Sequence, residues 1–200
     1  LPEQILLESL KSAGIKILST ATCVDEALDL QDRGVDAVIA QGYDAGGHRG
    51  TYKGDYRTGE VGTMSLIPQV VDAIKIPVIA AGGITDGRGI AAALSLGATG
   101  VQMGTAFLRC PECKNHLIYR DALNNVKDNN TRITKAFSGR PARAIENTFI
   151  KNMSEFEDDF PDFPIPTTLT GLLSQDSRNS GTSEYMSLWA GQAGALSLDL

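Results

Sequence analysis

Residues 76–104 read IPVIAAGGITDGRGIAAALSLGATGVQMG. The opening run, Ile76-Pro77-Val78-Ile79-Ala80-Ala81, is apolar throughout, as a parallel strand buried on both faces requires. Pro77 sits near its first residue, where a missing N–H is tolerated. Gly82-Gly83 turn the chain, Thr85 or Asp86 caps a helix through Leu96, and Gly97 stops it in the left-handed conformation. Gly100-Val101-Gln102-Met103-Gly104 then reads as the next strand.

The same unit, an apolar run followed by a turn and an amphipathic helix, repeats upstream. Residues 3–13 carry Ile5, Leu6, Leu10 and Ala13 at helical spacing, with Gly14 as the stop. Ile15-Lys16-Ile17-Leu18 follows as a strand, and Thr22 or Asp25 caps a helix that ends before Gly34. Val35 to Ala40 is a strand, Gln41 to Thr63 a glycine-rich charged loop, and Met64 to Ile74 a helix. Tandem βα units imply parallel strands with right-handed crossovers, and so an α/β class. A doubly wound sheet and a (β/α)8 TIM barrel both fit. Gly42, Gly82 and Gly104 fall at strand C-terminal ends, where a barrel builds its site, and this favours the barrel. Four strands cannot close one. Residues 1–109 are therefore read as the C-terminal half of a barrel, strands 5–8.

Residues 110–200 are read as a mostly helical C-terminal subdomain whose tail could return to the barrel. Residues 111–127 read as one helix, and Ile133 to Ile145 as extended or irregular around Ser138-Gly139-Arg140-Pro141. The acidic, aromatic stretch from Glu155 to Pro164 reads as a solvated loop, in which Pro161, Pro164 and Pro166 exclude a helix. Thr168 to Trp189 is expected to be helical in two pieces broken near Gly181.

The 200 residues are 42% hydrophobic with a net charge of −6, enough for a packed core and unsuited to nucleic acid or an anionic membrane surface. No apolar run approaches the roughly 20 residues of a membrane helix, and no secretory leader opens the chain. Cys23, Cys110 and Cys113 are too few for a disulfide framework and suit a reducing compartment, which points to the cytoplasm. Cys110, Cys113 and His116 fall short of the four ligands of a closed zinc site, so the two cysteines are read as free thiols at a helix start, without metal.

Two kinds of stretch carry chemistry. Ala40-Gln41-Gly42-Tyr43-Asp44-Ala45-Gly46-Gly47-His48-Arg49-Gly50 leaves a buried strand and sets a histidine among glycines. Glycine lets backbone approach a flat ring closely, and histidine changes charge near neutral pH, as proton abstraction requires. A solvated loop histidine is the plain alternative. The strand ends at Gly82-Gly83 and Gly104-Thr105 present backbone N–H groups of the kind that hold a phosphate. As strands 7 and 8 of a barrel they would form its phosphate site, with the N–H groups of Gly83, Gly104 and Thr105 on one phosphate.

AQGYDAGGHRG (40–50), IPVIAAGGITDGRGIAAALSLGATGVQMGTAFL (76–108), AFSGRPARAIENTF (136–149) and LWAGQ (188–192) together resemble the nitronate monooxygenase family, formerly 2-nitropropane dioxygenase. The resemblance implies noncovalent FMN and oxidation of alkyl nitronates, and nitroalkanes, by molecular oxygen. It places Gln41, Gly46 and Gly47 beside the flavin, and Gly82, Gly83, Gln102, Met103, Gly104 and Thr105 at its phosphate end. It makes His48 the catalytic base. The family commonly has Glu where this chain has Asp44. Its first barrel strands have no counterpart here, so a further N-terminal segment or a second chain is expected to supply them. The resemblance leaves Arg140 without a derived role, and Trp189 to Gln192 either return to the flavin edge or simply end a packed helix.

Two other functions share these motifs. An FMN-dependent enoyl-thioester reductase would use the same Gly-Gly-His loop and consume a nicotinamide cofactor. A half-barrel acting as an inactive fragment or interaction module would carry no flavin.

Overall fold

A computed structural model describes residues 4–197. In chain order the elements are α1 (Gln4–Ser12), β1 (Leu18–Ala21), α2 (Val24–Asp32), β2 (Ala37–Gln41) and β3 (Gly47–His48). Then come α3 (Thr63–Ala73), β4 (Val78–Ala81), α4 (Gly87–Ser95), β5 (Gly100–Gln102) and α5 (Leu117–Asn124). The chain ends with β6 (Thr131–Thr134), β7 (Ala142–Ile145), α6 (Thr148–Met153) and α7 (Ile165–Asn179). They form two compact units: residues 1–44 with 50–102, and residues 45–49 with 103–200.

The first unit is an α/β layer. Its four strands are all parallel in the order β1-β2-β4-β5. Val38, Ala40, Val78 and Ala80 are buried on this sheet, as the continuous apolar runs require. Leu30 of α2 and Leu66 and Val70 of α3 pack against it in one hydrophobic cluster. Asp86 caps α4, accepting from the N–H groups of Arg88 and Gly89, and Gly97 follows the helix at φ +95°. The ladder starts later than the apolar pattern suggests, at Leu18 rather than Ile15. The reason is a contact from a residue distant in sequence: Ile17 donates its N–H to the Asp36 carboxylate at 2.9 Å, and Lys16 pairs with the same side chain at 2.8 Å. Neither expected residue caps α2. Cys23 stands at the cap position, while the Thr22 hydroxyl donates to Glu26. Glu3, where the first helix was expected to begin, lies outside the described residues.

The second unit contains a three-stranded antiparallel sheet in the order β3-β7-β6. The stretch expected to be extended or irregular is a β-hairpin, β6 to β7, turning through Ser138 and Gly139. Gly139 has φ +79°, and a Cβ there would lie 2.2 Å from the carbonyl oxygen of Pro161. Only glycine fits both demands. The acidic stretch from Glu155 to Pro164 is largely exposed, as expected of a surface loop, but one of its side chains reaches the hairpin. Glu157 accepts from the Thr134 hydroxyl and from Lys135 N–H, and so clasps the hairpin.

Other corrections follow from side chains competing for helix ends. α5 begins at Leu117, not near 111: His116 is its N-cap, and Cys110 to Asn115 form turns ahead of it. Cys110 and Cys113 are free thiols but do not stand on a helix N-terminus. Pro166 lies in the first turn of α7, where a missing N–H costs nothing, so it starts a helix instead of excluding one. α7 ends at Asn179, and 182–189 contains no second helix.

Asn147 illustrates how a short helix is held. Its side chain caps α6 by accepting from Ile150 N–H at 3.2 Å, and its amide donates to the carbonyls of Ser183 and Met186. Asn147→Ala should lower unfolding stability by about 1–2 kcal/mol, seen as a shifted urea midpoint at unchanged slope. A shift under about 0.3 kcal/mol would mean that the cap contributes nothing.

No helix among the described residues is long and apolar enough to cross a membrane.

Candidate active site

In the first unit the residues expected to meet a cofactor fall at one level of the sheet. Gln41 is registered opposite Ala81, and Ala81 opposite Gln102, so three neighbouring strands end together. Gly82 and Gly83 follow directly, at φ +108° and +66°. This is the C-terminal edge of a parallel sheet, where α/β folds place ligands. Gln41 is engaged within the unit: its side-chain oxygen accepts from Gly50 N–H at 2.8 Å. Asp44 lies against Gly83, where a Cβ would come within 3.0 Å of Asp44 Cβ. The Asp44 carboxylate also accepts from Thr63 N–H at 2.6 Å, at the start of α3, where the helix dipole favours a negative group.

In the second unit the site is built around His48. Gly47 and His48 are the two residues of β3, paired with Arg143 and Ala142 of β7. His48 Nε2 lies 2.8 Å from Ser138 Oγ. Its ring stands 5.4 Å from that of Trp189 and 5.8 Å edge-on from that of Phe163. The residue still reaches solvent. Burial of the ring is the larger cause pushing its pKa below the ordinary 6.5, and the positive charge of Arg140 acts in the same direction.

The C-terminal segment is tied into this site. Tyr119 donates its hydroxyl to the Trp189 carbonyl at 2.6 Å, and Gly191 N–H donates to Thr105 Oγ1 at 3.0 Å. A Cβ on Gly46 would lie 2.5 Å from Gly191 N, so glycine is required there for the segments to meet. Gly46 and Thr105 therefore converge on one piece of backbone. Gly104 and Gly47, by contrast, have open space where a Cβ would point, and Gly104 is exposed. Met103, just before Gly104, is half-buried.

The sequence marks His48 as a candidate but not the side chains Ser138 and Phe163 that touch it. Ser138 and Arg140 lie in a motif to which the residues alone gave no role, and Phe163 lies in the stretch taken for a surface loop. Aromatic residues beside prolines were the only signal available for Phe163.

The comparisons can now be set beside this geometry. The description "NMO: Nitronate monooxygenase" matches residues 1–199. This chain belongs to the nitronate monooxygenase family. Among curated nitronate monooxygenase relatives, a protein of Staphylococcus saprophyticus named "Probable nitronate monooxygenase" is 48% identical over 195 residues, 96% of this chain and 55% of that protein. One of Staphylococcus aureus with the same name is 50% identical over 194 residues, again 96% of this chain and 55% of its own. The chain thus spans little more than half the length of these nitronate monooxygenase relatives. Among solved structures, a nitroalkane oxidase from Streptomyces ansochromogenes superposes with a TM-score of 0.91 at 38% identity, over 98% of this chain and 57% of that one. FabK from Thermotoga maritima superposes with a TM-score of 0.80 at 34% identity, over 98% and 59%.

The lowered His48 pKa has a direct consequence. A base is useful only when unprotonated, and His48 stays neutral to a lower pH than an ordinary histidine. If His48 is the base, kcat/KM on neutral nitroalkanes should lose activity in acid with a midpoint below 6.5. Arg140→Gln removes the cation and should move that midpoint upward. A midpoint above neutrality in the parent protein, or a downward shift in the variant, would contradict this assignment.

Proposed function

We propose that this chain is the C-terminal half of an FMN-dependent (β/α)8 nitronate monooxygenase, β1, β2, β4 and β5 serving as barrel strands 5–8. In this reading a preceding segment or a second chain supplies the first four strands. The substrates are small alkyl nitronates and nitroalkanes, with molecular oxygen as oxidant.

The observation that carries the reading is His48. It lies on a short strand with Nε2 hydrogen-bonded to Ser138 and its ring beside those of Trp189 and Phe163, and it reaches solvent. Such a group can take a proton from carbon once substrate lies within hydrogen-bond reach.

The residues present fit a flavin. Gly47 and Gly104 leave space where any other residue would place a Cβ, which allows a flat ring or a phosphate to approach backbone. Gly82 and Gly83, both at positive φ just after a parallel strand, offer adjacent backbone N–H groups for an anion. We assign Gln41, Gly82, Gly83 and Gln102 as flavin contacts, and likewise Gly46, Gly47, Met103, Gly104 and Thr105. Gly46 and Thr105 also have a structural duty at Gly191, so their contribution would be through backbone. FMN, when bound, supplies the electron acceptor and the reaction with oxygen. The chain's own part is to orient the substrate, exclude water and hold the proton on His48.

The test is made on the full-length protein. Purified material should show flavin absorbance, release FMN on denaturation, and consume oxygen with a nitronate. NADH oxidation with an enoyl thioester and no oxygen uptake would instead identify a reductase. No flavin binding at all would sink both enzyme readings.

A further inference from the structure

Ser138 stands at the turn of the β6–β7 hairpin and is buried, with 4% of its surface exposed. We propose that Ser138 is a positioning residue that holds His48 in its Nε2–H tautomer and thereby makes Nδ1 the nitrogen that accepts the proton. The inference rests on the reading of His48 as the base.

A serine hydroxyl has one proton to give and two lone pairs to receive with. Three polar atoms surround Ser138 Oγ: His48 Nε2 at 2.8 Å, the Arg140 carbonyl oxygen at 3.2 Å and Arg140 N–H at 3.3 Å. The carbonyl can only accept and the amide can only donate. If the hydroxyl proton goes to the carbonyl, both lone pairs receive, one from Arg140 N–H and one from His48 Nε2–H. All three contacts are then satisfied. If the proton goes to His48 instead, the carbonyl faces a hydroxyl oxygen with no proton between them, and one contact becomes repulsive. In a buried turn such an unmade bond costs about 1–3 kcal/mol. The first arrangement therefore prevails.

It also suits the chemistry. Once His48 has taken a proton both its nitrogens are donors. The Nε2–H bond to Ser138 is then unchanged, so the hydroxyl need not rotate during the transfer. In the other arrangement protonation would set two hydrogens against each other and force a reorganisation. A base whose surroundings are already arranged for its charged form loses less in the transition state. Arg140, the charged group facing the ring, opposes that charge, which makes an oxygen acceptor at Nε2 the more useful.

The experiment is nitrogen-15 NMR of the full-length, flavin-loaded protein, with the His48 signals identified by their loss in His48→Asn. The parent protein should show Nε2 protonated and Nδ1 bare in the neutral form. In Ser138→Ala the second tautomer should become visible. On neutral nitroalkanes kcat should fall about 10- to 100-fold at nearly constant KM. Rates on preformed nitronates should hold, and Ser138→Thr, which keeps the hydroxyl, should restore the single tautomer. A parent spectrum with Nδ1 protonated overturns the proposal, and that spectrum decides alone if the alanine variant does not fold. An alanine variant with unchanged tautomer and kcat, or with equal losses on both substrates, also overturns it. Absence of nitroalkane turnover in the parent protein would defeat the functional reading instead, leaving the spectrum to decide the tautomer.

Discussion

His48→Asn is expected to reduce turnover of neutral nitroalkanes by roughly 10²–10⁴-fold, the range of acid–base catalysis, while flavin content stays constant. Asparagine keeps a polar side chain of similar reach toward Ser138 but has no lone pair basic enough to take a proton from carbon. A preformed nitronate has already lost that proton, so its oxidation should fall far less. The ratio of the two losses is the quantity to measure. Equal losses would make His48 a residue that places substrate, and unchanged rates would remove it from the reaction. His116 does not substitute for it, because its Nδ1 accepts from Ile118 N–H as the cap of α5.

The largest expected loss of stability comes from a carboxyl group far from that chemistry. Glu26 of α2 is fully buried. One of its oxygens accepts from Thr22 N–H at 2.7 Å and from the Thr22 hydroxyl at 2.8 Å. The other accepts from Tyr52 N–H at 2.7 Å and Lys53 N–H at 3.0 Å. The side chain thus joins the end of β1 to the glycine-rich loop after residue 50, and Tyr52 returns its hydroxyl to the Glu26 carbonyl. Leucine has the right volume and none of the acceptors. Glu26→Leu should therefore lower unfolding free energy by about 2–5 kcal/mol, since several buried donors lose their partner at once. Glu26→Gln, which retains one oxygen, should cost about half as much. Urea unfolding measures both. A cost below about 1 kcal/mol for leucine would show that water replaces the carboxyl without difficulty.

How much of this was legible in the sequence depended on the range of the forces involved. The four parallel strands and their helices were legible because burial on both faces leaves an apolar run, as at Val78 to Ala81. Asp86 and Gly97 were legible because helix ends obey local rules. The β6–β7 hairpin was not. Its turn depends on Gly139 meeting Pro161, more than twenty residues away, and its first strand on Glu157. The start of β1 was misplaced for a similar reason: Asp36, distant in sequence, takes the amide of Ile17. At the candidate site the glycines and the histidine were visible as residue types. The environment of His48 was not, because Ser138, Phe163 and Trp189 reach it only through tertiary pairing.

The placement of β3 bears on how the family could be recombined. Only three residues lie between the end of strand β2 and residues 45–49, yet the latter fold with the unit that starts again at residue 103. A chimera cut by sequence alone, taking a relative's β2 together with its Gly-Gly-His loop, would graft the candidate histidine onto a foreign hairpin. The inheritable module is discontinuous: the five-residue loop must travel with Ser138, Phe163 and Trp189. The surroundings of His48 would then move between relatives only as that whole set.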